Sequence, residues 1–391
     1  MRIVFICSCL EPGKDGVGDY TRRLAGELIR QGHQAAVVAL NDGYVSAPRI
    51  EAQEAEGVSI QALRLPRNAR WGERIERARS WVDAHAPDWV SLQFVCFGFH
   101  PKGLPFGLGR RLRAVAESIP WHIMFHELWV GDGDGVGWKK RFWGRAQRWI
   151  IGDLVKRLRP ARVHSHTATY IHMLSHLGVK AGYLPLFGSI PEASDIDRHS
   201  AFQVLAEHGH EHREGAIIGG VFGAIHPEWD PDRVLASLQK YANTKNRRLV
   251  LVAFGRHGPA GERCLANIRA RWSGQFELVE LGALDDRVIS GLLSMVHLGL
   301  ATSPWALIGK SATAAAFLDF GVPVIVTRDD APSAGDDPLH TEDLLIRFTG
   351  GDSLDWASLL RKRKGPSSRL KNIAGKLVAD LEEAGGQRQR T

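Results

Sequence analysis

The chain has 391 residues, enough for two domains that each bury a core, with 44% hydrophobic and 24% charged residues. Four cysteines exclude a disulfide framework, and no run is long and apolar enough to cross a bilayer. A formal net charge of +7 favours contact with something anionic: a nucleotide, a nucleic acid or a membrane surface.

The order along the chain begins strand, glycine loop, helix, strand. Arg2–Cys7 is a short apolar run that suits a buried parallel strand rather than a signal peptide. With the cysteine usage, that predicts a cytoplasmic protein. The loop Glu11–Gly18 carries Gly13, Gly16 and Gly18, and a helix is expected from Asp19 or Tyr20 to Gly32. Such a turn lets backbone N–H groups approach a phosphate, and the helix dipole favours negative charge. The spacing is not a dinucleotide fingerprint or a P-loop. Asp19 would oppose a phosphate there, so the glycines can also serve the turn alone.

Strands are then expected at Ala35–Leu40, Asp88–Val95, Trp121–His126 and Ala161–His166, with helices near Glu73–Ala84 and Gly107–Glu117. Strands separated by helices imply a parallel sheet covered on both faces. Trp138–Arg159 interleaves eight Lys/Arg with Trp138, Phe142, Trp143, Trp149 and Ile150. It can lie as a helix on anionic lipid, or sit at the surface with its aromatics facing the core. Residues 1–190 read as the first domain and 191–215 as a linker with a short helix. The linker holds His208, His210 and His212, without the acid or cysteine spacing of a metal site.

A second alternating unit follows from Ala216. Strands are expected at Ala216–Ile225, Arg247–Gly255, Phe276–Gly282, His297–Thr302 and Pro323–Thr327. The helices between them are Asp230–Tyr241, Gly261–Trp272, Asp285–Met295 and Ser311–Phe320. Residues 216–350 form this second Rossmann-like domain, and 351–391 a basic helical tail. Ligands of open α/β sheets bind at strand C-terminal ends. The loops to inspect are therefore Glu11–Gly18, His126–Gly137, Gly223–Trp229, Gly255–Gly261, Gly282–Asp286 and Ser303–Ser311.

Four phrases carry a resemblance: DGVGDYTRRLAGELIRQGH (Asp15–His33), IMFHELW (Ile123–Trp129), VFGAIHPE (Val221–Glu228) and LGLATSPWALIGKSATAAAFLDFGVPVIV (Leu298–Val326). In order and spacing the chain resembles the GT-B glycosyltransferases, with the flavour of the GT4 type. The resemblance implies an α/β fold of two tandem Rossmann-like domains facing across a cleft. It implies a nucleotide-sugar donor on the C-terminal side, an acceptor on the N-terminal side, and neither metal nor other cofactor.

Position by position, the resemblance puts Gly16 and Gly18 near the donor phosphate and His126 near the transferred sugar. Gly309, Ser311 and Gly321-Val322-Pro323 match the donor loop and helix. The family's paired glutamates fall on Ile308 and Ala316, and its phosphate-clamping Arg and Lys on Ala224 and Trp229. A departing nucleoside diphosphate still needs stabilisation. Lys310 is the first replacement, at a helix N-terminus with Ser311 and Thr313, and Arg256 is the second. His126 can bond a sugar hydroxyl or act as base. Asp19 can bond an acceptor or cap its helix. Glu127, Trp229 and Trp305 are further cleft candidates.

These readings converge on transfer of a sugar, in a hexosyl, retaining reaction, from a nucleotide-sugar to an unidentified acceptor. One alternative is a pseudo-glycosyltransferase coupling an unusual activated donor. Another is a GT-B binding protein without catalysis. No nucleic-acid module is recognisable.

Overall fold

The computed structural model describes residues 1–131, 137–210, 215–329, 342–350 and 354–388. The chain divides into two compact units. The first comprises Met1–Pro185 with the C-terminal segment from Leu370, and the second is Leu186–Arg369.

The first unit is built on eight strands: β1 (Arg2–Cys7), β2 (Gln34–Asp42), β3 (Arg49–Ala55), β4 (Val58–Pro66), β5 (Trp89–Phe94), β6 (Trp121–Phe125), β7 (Arg162–Ser165) and β8 (Gly182–Tyr183). Their spatial order is β3-β4-β2-β1-β5-β6-β7-β8. Every pairing is parallel except the β3–β4 hairpin. The central strands read as continuous apolar runs because helices cover both faces. Ile3, Phe5, Val38, Val90, Leu92, Ile123 and Phe125 are all buried. The hairpin has no counterpart among the expected elements. Its strand β3, RIEAQEA, lacks an apolar run and sits at the sheet edge, where polar residues suit solvent.

The second unit carries β9 (Ile217–Phe222), β10 (Leu249–Phe254), β11 (Glu277–Gly282), β12 (Leu298–Pro304), β13 (Val324–Arg328) and β14 (Leu345–Arg347). They lie in the order β11-β10-β9-β12-β13-β14, all parallel. The order reverses between β9 and β12, which makes that gap the switch point where doubly wound sheets bind ligands. In the first unit the corresponding gap lies between β1 and β5.

Two stretches differ from the expected organisation. The short helix expected in the linker spans Asp195–Glu207, opened by a Ser194–Asp197 capping box, and the segment belongs to the second unit. It packs in the second unit against helix Asp286–Met295, close enough that a side chain at Gly291 would overlap the Asp197 carbonyl. His208 is exposed on its end, and His210 is held by Glu277 at 2.7 Å. His212 lies outside the described residues, among which no cluster of metal-ligating side chains occurs. The segment read as a single tail divides. Trp356 is buried in the second unit's core and donates to Ser237 Oγ at 2.9 Å. Helix Leu370–Arg388 instead joins the first unit, where the Gln31 amide donates to the Lys371 carbonyl. Leu370, Ile373, Leu377 and Leu381 are buried there, a helical spacing that closes an apolar face.

Trp138–Leu158 is one continuous helix of 21 residues despite its two glycines. Gly144 is required: any side chain there would run into the Val130 carbonyl. Trp138, Phe142 and Trp149 are exposed, each more than 60%. The core-facing placement of these aromatics is therefore corrected. The buried face is instead filled by Gln147, Ile150, Ile151, Leu154 and Leu158. No described helix is long and apolar enough to cross a membrane.

Candidate functional site

At the first glycine loop the structure supplies its own anion. The helix begins at Gly16, three residues earlier than expected, because Asp15 caps it. The Asp15 carboxylate accepts from the N–H groups of Val17 at 2.8 Å and Gly18 at 3.2 Å, and from Ser8 Oγ at 3.1 Å. The place expected for a phosphate is thus taken by a side chain. Gly18 is small because a Cβ would collide with the Cys9 carbonyl, whereas Gly16 faces open space. Asp19 accepts from the Gly13 N–H at 3.1 Å and pairs with Arg22, so it braces the loop it belongs to. Arg64 anchors the same loop from beneath, bonding Asp42, Glu11 and Glu51 together. Burial alone would raise the Asp42 carboxyl, but hydrogen bonds from Arg64, Tyr44 and Leu10 hold it below the usual carboxylate range.

His126 follows β6 and is buried. Both of its ring nitrogens are engaged, Nε2 with Gln93 Oε1 at 2.9 Å and Nδ1 with His166 Nε2 at 3.0 Å. The edge of the Tyr20 ring stands against it. Burial, with the neighbouring His166 and His122, pushes the His126 imidazole well below the ordinary histidine value, which keeps it neutral. As a base it would first have to give up one of these bonds. Glu127 beside it is half-buried. The loop that follows lies in part outside the described residues.

At the switch point of the second unit, several expected residues do come together. Helix Ala312–Asp319 points its N-terminus at this end of the sheet, capped by Ser311 Oγ on the Ala314 N–H at 3.3 Å. Thr313 Oγ1 lies 3.1 Å from Ser311 Oγ. Gly223, at the end of β9 with φ of 74°, approaches Thr313 so closely that a Cβ would press on its methyl. Thr302, at the end of β12, donates to the Ala224 carbonyl at 3.1 Å and accepts from the His226 N–H. The two strand ends and the helix start are thus tied together. The first-turn N–H groups of such a helix have no intrahelical acceptor and attract anions. Gly309 is buried in the short 3₁₀ helix Trp305–Lys310, and half-buried Lys310 is its last residue.

His257 is the residue that the sequence reading missed here. Its Nδ1 donates to the Gly223 carbonyl at 2.9 Å. Its Nε2 is buried and has no partner among the described residues. A buried polar atom left over at a strand end is what a ligand group would satisfy. In the neutral ring Nε2 accepts from a hydroxyl; protonated, it donates to a phosphate. Only its place one residue after Arg256 could have signalled it. Arg256 itself is exposed on the same turn. Arg328, also unforeseen, is buried at the end of β13, bonding Glu228 at 2.8 Å and the Thr302 carbonyl at 3.3 Å.

The aromatic candidates are placed differently. Trp229 is buried in the apolar core, with Nε1 donating to Thr327 Oγ1 at 3.1 Å, so this cleft candidate is a packing residue. Trp305 is buried as well, with the Arg347 guanidinium 5.7 Å from its ring centre. Ile308 and Ala316 are buried. The positions of the family's glutamates therefore belong to the interior, where a carboxylate would be costly.

Residues 15–154 match the family model described as a glycosyl transferase 4-like domain. No curated protein sequence matches the chain. Among solved structures, the catalytic domain of starch synthase IV from Arabidopsis thaliana, bound to ADP and acarbose, aligns with a TM-score of 0.59 at 12% identity, covering 99% of each chain. Anabaena HepE, in complex with UDP and glucose, aligns over 100% of each chain with a TM-score of 0.54 and 13% identity. The S. aureus MnaA–UDP structure aligns with a TM-score of 0.51 and 13% identity, over 98% of this chain and 96% of that one. These likenesses establish the fold. The chain has the GT-B fold of these structures, and residues 15–154 of its first unit are similar to a glycosyl transferase 4-like domain.

Proposed function

We propose that this protein transfers a sugar from a nucleotide-sugar donor, without a metal ion, and that the second unit holds the donor's diphosphate. The observation that carries this is the unsatisfied His257 Nε2 beside the capped start of helix Ala312–Asp319. Lys310, Ser311, Thr313 and Arg256 supply the remaining donors, replacing the clamp that the family places on Ala224 and Trp229. UDP in HepE and ADP in the starch synthase favour a nucleoside diphosphate as the common ligand chemistry. Positive charge and aligned N–H groups at Lys310 and the helix start would stabilise the departing diphosphate. The leaving phosphate can then take the acceptor's proton, so a neutral, fully bonded His126 suits a positioning role for the transferred sugar.

The deciding experiment is calorimetric titration of the full chain with UDP, GDP, ADP, TDP and CDP. Selective binding of one supports the reading and names the base for a sugar screen. No binding to any of them overturns it and leaves the reading of a GT-B binding protein without catalysis.

A second observation favours contact with an anionic membrane surface by the first unit. Helix Trp138–Leu158 exposes Trp138, Phe142 and Trp149 together with Lys139, Lys140, Arg141, Arg145 and Arg148. Exposed Phe106 packs its ring against Trp149. Aromatic rings flanked by cations match the interface between headgroups and acyl chains.

A further inference from the structure

Seven polar contacts cross the first unit's sheet in a single line. The Leu184 carbonyl lies 2.9 Å from His166 Nδ1, and His166 Nε2 lies 3.0 Å from His126 Nδ1. His126 Nε2 is 2.9 Å from Gln93 Oε1, and Gln93 Nε2 is 2.8 Å from Ser91 Oγ. Ser91 Oγ is 2.8 Å from His122 Nδ1, and His122 Nε2 is 3.0 Å from His164 Nδ1. The line ends where His164 Nε2 meets Asp380 Oδ2 at 3.0 Å. Every ring in it is buried.

The proton count of this line is determined by its two ends, which both accept. Six groups stand between the Leu184 carbonyl and the Asp380 carboxylate. When neutral, each supplies one proton to the line. Seven contacts therefore share six protons. The carboxylate requires His164 Nε2–H. That makes His164 Nδ1 an acceptor and requires Nε2–H on His122. Ser91 must then donate to His122, and Gln93 to Ser91, which is the amide orientation in the structure. Gln93 Oε1 in turn requires Nε2–H on His126, whose Nδ1 accepts from His166. His166 is thereby held as the Nε2–H donor to His126.

We infer that Asp380 is a positioning residue for His126, fixing the tautomer of each ring through this line. The charged groups around the line are consistent with this direction. Arg162 Nε competes for His164 Nε2 at 3.4 Å, longer than the 3.0 Å to Asp380, and its guanidinium also pairs with Asp380 and Glu383; Lys376 bonds Asp380 at 3.0 Å. Burial alone would raise the Asp380 carboxyl, but bonds from His164 and Lys376 hold it well below the usual range. Burial keeps His122 and His126 neutral, and lowers His164 even against Asp380. At the other end the Tyr20 ring edge faces His126 and His166. Gly182 leaves room for the His164 ring, which a Cβ would strike. The importance of His126 to sugar transfer rests on the proposed function; the tautomers do not.

The test is a pH series of long-range proton–nitrogen spectra on the full chain with ring-labelled histidine. The expected result is Nε2–H on His122, His126 and His164. Asp380→Asn offers a donor as well as an acceptor, so seven bonds can form with neutral rings in the opposite direction. The three rings should then switch to Nδ1–H. Glu383→Gln, beside the line but outside it, should leave all three tautomers unchanged. Ser91→Ala cuts the line in the middle and should release His126 from its fixed tautomer even if Asp380→Asn does not fold. Nδ1–H on His126 in the unsubstituted chain, or spectra of Asp380→Asn or Ser91→Ala that match it, would overturn the inference. The readout needs no activity, so it stands apart from failure of the transferase reading.

Discussion

Asp380 accepts a hydrogen bond from His164 across 216 residues of sequence, Nε2 to Oδ2 at 3.0 Å. The contact joins the C-terminal helix to the sheet of the first unit. It also ends the polar line that begins beside His126, so a surface carboxylate and a buried imidazole belong to one system.

The buried histidines give the protein a pH-dependent stability. His122, His126 and His164 are held below the ordinary histidine value chiefly by burial. Unfolding frees them to bind protons below about pH 6.5. The stability they permit is therefore full above that pH and lost as pH falls beneath it. Each contributes a slope of about 1.4 kcal/mol per pH unit. A melting temperature that falls steadily between pH 7 and pH 5, less steeply in His122→Gln, is the expected result. A flat profile would place these rings in solvent contact.

Two glycines two residues apart should respond with opposite signs. Gly18→Ala drives a methyl into the Cys9 carbonyl and should cost roughly 1–3 kcal/mol, as overpacking does. Gly16→Ala meets open space in the first turn of the helix. It should be neutral, or stabilising by up to about 1 kcal/mol. Denaturant midpoints for the pair decide it, and equal losses would contradict the packing.

Lys310→Ala should weaken binding of the selected nucleoside diphosphate by more than roughly 1 kcal/mol, the range of a charge-assisted hydrogen bond. His257→Phe keeps the ring volume while removing Nε2, and should weaken it as well. Titration calorimetry reads both. Unchanged affinity in Lys310→Ala removes that lysine from the site.

The exposed aromatic face predicts lipid binding. The chain should co-sediment with vesicles containing phosphatidylglycerol and not with neutral phosphatidylcholine vesicles, and salt should weaken the association. Replacing Trp138, Phe142 and Trp149 together by Ser should abolish sedimentation without lowering the melting temperature, since all three are exposed. Sedimentation unchanged by these substitutions would exclude the helix as the contact.

Much of the architecture was legible in the chain because a parallel sheet buries both faces. Runs such as RIVFIC and LVLVAF have little choice but strand β1 and strand β10. Glycines spaced between those runs marked the turns, and Ser311 marked a helix start through its capping chemistry. Local patterns of this kind depend on neighbours a few residues away, so the sequence alone carried them. Strand β3 escaped for the same reason: an edge strand facing solvent has no apolar run to betray it.

What only the tertiary structure decided is where polar groups find their partners. Nothing near Trp229 says that its ring is core. His122, His164 and His166 read as ordinary strand and strand-end residues, and Asp380 as one acid in a basic tail. Pairing β5, β6 and β7 side by side, and laying helix Leu370–Arg388 against the first unit, brings them into one line. A buried polar atom must bond to whatever the fold places beside it, and that neighbour comes from the far end of the chain.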